Sequence, residues 1–168
     1  MAAAERRALT KGEVALAREA FGAAIDYDRI AICAGAGGNP VAWLAFCHGN
    51  PAITLVGTIH LRAGPAADFS AAGEEELTLF MHEMTHVWQY RRLGLLPFLL
   101  RYGRDFLRCG LRAAAMYRYA AGVDSFAAAR LEAQADMIGH YSRALRRGDA
   151  VALEILGRNL RGSGLYGR

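Results

Sequence analysis

The sequence predicts an α+β domain: an N-terminal helix, a small antiparallel sheet, a long central helix and a C-terminal helix packed against it. Three observations lead there. Apolar residues recur every three or four positions near the start, short apolar runs separated by Gly and Pro follow, and two long helical stretches closed by glycines occupy the second half. The 168 residues suit one domain spanning 1–168. Hydrophobic residues make up 54% and charged residues 21%, the balance of a chain with its own core, with disorder expected only at the ends.

Val14, Leu16, Ala17, Ala20, Phe21 and Ala24 form one face of a first helix over 10–24. Between Arg29 and Leu61 the pattern changes to the runs Ile30 to Ala34, Val41 to Cys47 and Ile53 to Leu61. These are expected to be three strands, and their short Gly- and Pro-containing links favour hairpins over parallel crossovers. After the loop Ala63 to Asp68, Ser70 is a plausible N-cap for a helix with Glu74, Glu75 and Glu76 in its first turns, ending near Arg92 before Gly94. Pro97, Gly103 and Gly110 are expected to break the next stretch into short helical pieces. Tyr117 to Asp124 reads as an irregular link, and Ser125 as the cap of a last long helix to Arg147, stopped by Gly148.

Charge and cysteines narrow the function classes. The net charge of +4 comes almost wholly from arginine, with seven arginines from Arg91 to Arg118 against one acid, Asp105. Such a segment can meet phosphate or an anionic membrane, or form a solvated face beside a cleft; no nucleic-acid motif accompanies it. A peripheral membrane role for Leu93 to Leu107 is set against the interruptions at Pro97 and Gly103. Cys33, Cys47 and Cys109 are too scattered for a thiolate metal site and read as small buried apolar residues. The first dozen residues, with Glu5, Arg6, Arg7 and Lys11, lack the apolar core of a secretory signal, and the run Leu93 to Leu100 is too short to span a bilayer. The expectation is cytoplasmic synthesis without a transmembrane segment, any export using a route that needs no cleaved signal.

His82-Glu83-Met84-Thr85-His86 lies in the middle of the strongest predicted helix. Two histidines four apart differ by about 40° around a helix, so both imidazoles can face one metal. Glu83 can then reach a metal-bound water as general base without occupying a coordination position. Leu77, Phe80, Met81, Met84, Val87 and Trp88 already supply a core face, so the histidines are not needed for packing. Zn²⁺ in a catalytic site takes three protein ligands. Glu132 is the favoured third, because Asp136 follows four residues later on the same helical face and can accept the N–H of a ligand histidine, His82 in the first instance. His60 and His140 are the alternatives. Tyr117, Tyr119, His140 and Tyr141 are the available polar donors for an oxyanion, with Tyr117 and His140 the catalytic candidates beside Glu83.

The chain resembles the bacterial His-Glu-x-x-His domain family, and within it the small proteins labelled Vgr-related after the spike protein of the type VI secretion apparatus. The resemblance rests on Arg7-Ala-Leu-Thr10 opening a helix, Phe21-Gly22, Ile25 to Ile30, Gly57 to Leu61, Met81 to Tyr90, Tyr117-Arg-Tyr119 and Leu131 to Asp136. It implies a zincin-like, gluzincin-type metallopeptidase fold in which the last strand before the motif helix forms the rim of a cleft for a peptide or protein substrate. The alternative it leaves open is a metal-stabilised binding module or adaptor that docks onto a secretion spike without cleaving anything.

Overall fold

A computed structural model describes residues 6–168, so the expected disorder at the extreme N-terminus lies outside the described residues. The chain is α+β. Among the described residues seven α-helices pack around one four-stranded sheet of order β1-β2-β4-β3. β1 is Arg6–Ala8, a strand where the sequence suggested the opening of a helix; helix α1, Lys11–Phe21, follows after Thr10. Thr10 Oγ1 accepts from Glu13 N and Glu13 Oε2 from Thr10 N, a reciprocal cap. The same Glu13 carboxylate is fully buried, takes two bonds from the Arg7 guanidinium at 2.7 and 2.8 Å, and accepts Phe69 N. One acid thereby ties the first strand, the first helix and the loop leading to the central helix.

The sheet is mixed, not antiparallel. β2, Ala31–Ala34, pairs antiparallel with β1 but parallel with β4, Thr58–Leu61, while β3, Ala52–Leu55, pairs antiparallel with β4 at the outer edge. The run Val41 to Cys47 is not a strand but part of helix α2, Pro40–Cys47. Asn39 caps it by accepting from Val41 N and Ala42 N, and Pro40 occupies the first helical position, where no N–H is needed. An unbroken apolar run has no period with which to separate strand from helix. With α2 and β3 between them, β2 and β4 have the long connection that a parallel pair demands. The run from Ile53 to Leu61 is a hairpin, its turn formed by Val56 at φ 58° and Gly57. A β-branched residue in the left-handed region is strained, so sequence gives no hint of this turn.

The central helix α3 spans Glu74–Leu93. Its cap is Gly73 rather than Ser70: Glu76 accepts from Gly73 N, while the Ser70 hydroxyl donates to Asp68. Gly94 ends the helix at φ 84°. Helix α4, Leu95–Arg108, is continuous where breaks were expected. Pro97 sits in its first turn, where the missing donor has no partner to lose, and the exposed Gly103 costs only about 1 kcal/mol of helix propensity. The short α5, Ala113–Met116, precedes the irregular stretch from Tyr117 onward. α6, Leu131–Arg147, starts six residues after Ser125, whose hydroxyl serves a separate turn at Ala128, and Gly148 closes it in the left-handed conformation. A further helix α7, Ala150–Asn159, is capped by Asp149, and the C-terminal residues are packed, with Leu165 buried and Arg168 donating to the Tyr141 hydroxyl. Of the cysteines, Cys33 is buried but Cys47 is exposed and Cys109 half-buried; all three are free.

α3 and α6 form the most extensive contact between any two elements. A Cβ at Gly139 of α6 would lie 2.8 Å from the carbonyl oxygen of Thr78 on α3, so only glycine permits this approach. Gln89 then fastens the pair, donating to Leu131 O and to Gln134 Oε1 at 3.0 Å each.

Candidate metal centre

Every residue of α3 from Phe80 to Tyr90 is buried, so its polar side chains must find partners within the protein. His82 and His86 face α6 across the close helix contact, and Glu132 meets them from the first turn of that helix. His82 Nε2 lies 3.1 Å from Glu132 Oε2 and 3.1 Å from His86 Nε2, and His86 Nε2 lies 3.3 Å from Glu132 Oε2. Three ligands about 2.0–2.1 Å from a tetrahedral metal sit about 3.3–3.4 Å apart, so these atoms occupy three corners of such a shell.

The outward nitrogens settle the tautomers. His82 Nδ1–H donates to Asp136 Oδ1 at 2.8 Å. Gln89 uses its amide nitrogen on Leu131 and Gln134, which turns its oxygen toward His86 and makes His86 Nδ1–H the donor, also at 2.8 Å. In its neutral form each histidine therefore turns an Nε2 lone pair to the Glu132 carboxylate. Three electron-rich atoms at this spacing repel one another unless a cation lies among them, and the buried His-His-Glu group can hold a metal ion. Protons are the competing cations. Burial alone would lower the His82 pKa, but the carboxylates of Asp136, Glu132 and Glu83 outweigh it and raise it to about 10. For His86 burial is likewise outweighed by Glu132, and Glu132 itself, against the upward push of burial, is held far below the usual carboxylate range by His86 and His82.

Glu83 stays outside the ligand triad, yet close enough for its charge to raise the pKa of both histidines. Its carboxylate accepts the Thr54 hydroxyl at 2.7 Å, which fixes it from the edge strand β3. Tyr117 stacks beside His82 with ring centroids 5.9 Å apart. Tyr102, from α4, lies beside the Glu132 carboxylate, and Phe98 sets its ring edge-on to His86 at 6.1 Å. Burial, reinforced by the Glu132 charge, raises the pKa of Tyr102 and Tyr117, so both phenols remain hydrogen-bond donors around neutral pH.

The other sequence candidates are placed differently. His140 lies one turn beyond Asp136 and pairs through Nδ1 with the Tyr119 hydroxyl at 2.7 Å; burial lowers its pKa. Tyr141 points into the core against Tyr166 and Arg168. His60, on β4, directs Nδ1 to the Gly35 carbonyl. Sequence reasoning missed Thr54, Gln89 and Tyr102. Only Gln89 left a trace, as a polar residue three places after His86 in an otherwise apolar stretch.

No family model and no curated protein matches this chain. Among solved structures it is similar to the effector domain of Pseudomonas aeruginosa VgrG2b, with a TM-score of 0.63 and 25% identity. The match covers 90% of this chain and 79% of that one.

Proposed function

We propose that this chain is a zinc-dependent peptidase of the zincin kind that acts as an effector associated with a type VI secretion spike. The observation that carries the hydrolytic reading is the Thr54-anchored Glu83 carboxylate beside three converging ligand atoms. A metal site serving stability alone closes its shell with a fourth protein ligand and needs no carboxylate held next to it. Likeness to the VgrG2b effector domain over nine-tenths of the chain supports the association with a spike.

Bound at His82, His86 and Glu132, zinc would supply Lewis acidity to a peptide carbonyl and acidify a water. Glu83 would take a proton from an attacking water and pass it to the leaving amine, with Thr54 keeping the carboxylate aimed. The Tyr117 hydroxyl is the donor for the developing oxyanion, a role it can take more readily than His140, which is engaged with Tyr119, or Tyr102, which faces the Glu132 carboxylate. β3 forms the outer edge of the sheet next to Glu83, and an extended peptide adding to it would bring its main chain alongside the metal centre.

The deciding experiment is Glu83→Gln assayed with a broad peptide library in excess zinc. Metal content and fold should be retained while turnover falls by roughly 10²–10⁴-fold. Equal inertness of the wild type and variant, with both binding the same spike protein, would replace hydrolysis by the docking role.

A further inference from the structure

Helix α4 is amphipathic in a way that its packing does not use. Its inner face sends Phe98, Tyr102 and Asp105 toward the protein. At 100° per residue, Leu95, Leu99, Leu96, Leu107 and Leu100 occupy one outward arc of about 140°, with Gly103 in its middle. All five leucines are exposed, Leu96, Leu100 and Leu107 by 66, 67 and 69%, and the exposed Leu111 follows the helix end. Next around the helix come Arg104, Arg108 and Arg101. Arg91, Arg92 and Arg112 extend the basic border at either end of the helix, exposed like Arg104 and Arg108. The one acid of the segment, Asp105, is buried and accepts from Leu131 N.

We propose that this face of α4 docks onto an anionic lipid bilayer. The arc contains no hydrogen-bonding side chain, whereas a protein interface pairs an apolar centre with polar groups of both signs. Leucines beside arginines, with no exposed acid among them, match the interfacial helix that sinks its apolar face to the level of the acyl chains and meets anionic headgroups with its cations. The helix lies in the plane of the surface; no helix among the described residues is long and apolar enough to cross a membrane. Because the inner face of α4 touches His86 and Glu132, docking places the metal centre about one helix diameter from the headgroups. The proposal concerns binding alone and stands whether or not the metal centre hydrolyses anything.

The test is flotation of the full chain with phosphatidylcholine vesicles, with and without phosphatidylglycerol. Wild type should float with the anionic vesicles and bind neutral ones roughly tenfold more weakly. The double variant Leu96→Glu/Leu100→Glu should lose anionic binding by at least roughly tenfold, as should Arg104→Glu/Arg108→Glu, while Val151→Glu, an exposed apolar position on α7, should bind as wild type. Unchanged thermal melting of each variant shows that the loss is not unfolding. Failure of wild type to float, equal binding by the leucine variant, or lipid-free self-association that the leucine variant abolishes would each overturn the proposal, the last in favour of a protein partner on the same face.

Discussion

Two histidines of the same helix are oriented by different chemistry. His82 hands its N–H to the Asp136 carboxylate and His86 to the neutral Gln89 amide. The charge on Asp136 makes His82 the more basic ligand, while Gln89 also bridges to α6 through Leu131 and Gln134. Replacing Gln89 with Leu should weaken zinc affinity by roughly 10–100-fold, comparable to Asp136→Ala and far less than Glu132→Ala, as competition with a chromogenic chelator would show. An affinity unchanged in both Gln89→Leu and Asp136→Ala would mean that the rings are held by packing alone. The histidine pair, Glu83, and the Glu132–Asp136 spacing were legible because each is a periodicity within one helix. Gln89, Thr54 and Tyr102 were not, because each acquires its partner only when separate elements meet.

At the scale of elements, the metal centre depends on how near α6 can come to α3. Gly139 sets that limit, since any side chain there would press on the Thr78 carbonyl, a backbone atom that cannot swing aside. Gly139→Ala should therefore cost about 1–3 kcal/mol of stability, despite the better helix propensity of alanine, and lower zinc affinity by parting Glu132 from the histidines. Denaturant melts and chelator competition would measure the two effects; a stabilised variant with undiminished affinity would remove Gly139 from this role. The ends of α3 and α6 were readable from Gly94 and Gly148. α2 and α4 were misread for opposite reasons: α2 is too short and too apolar to show a period, and in α4 the two helix breakers occupy positions that tolerate them.

For the whole molecule, a metal ion held by the His-His-Glu group would compete with protons for one buried site, and that competition should set how stability varies with pH. In the metal-free chain His82 is raised to about 10, because Asp136, Glu132 and Glu83 overcome the cost of its burial, while an unfolded histidine titrates near 6.5. Its protonation then stabilises the fold fully below about pH 6.5, and this contribution is lost as pH climbs toward 10. Glu132 works in the other direction: held low by the two histidines against the push of burial, it contributes above its unfolded value near 4.5 and loses that contribution as pH falls. Metal-free protein should accordingly melt at progressively lower temperature from pH 6.5 to 9. Zinc-loaded protein should not follow it, since the bound cation replaces the proton that the site releases. The gap between the two melting temperatures should thus widen with pH, and His82→Ala should flatten the metal-free slope. Scanning calorimetry across that range, with and without chelator, would decide it, and a metal-free melting temperature that held level or rose would show that the site does not carry its proton as the His82 environment requires.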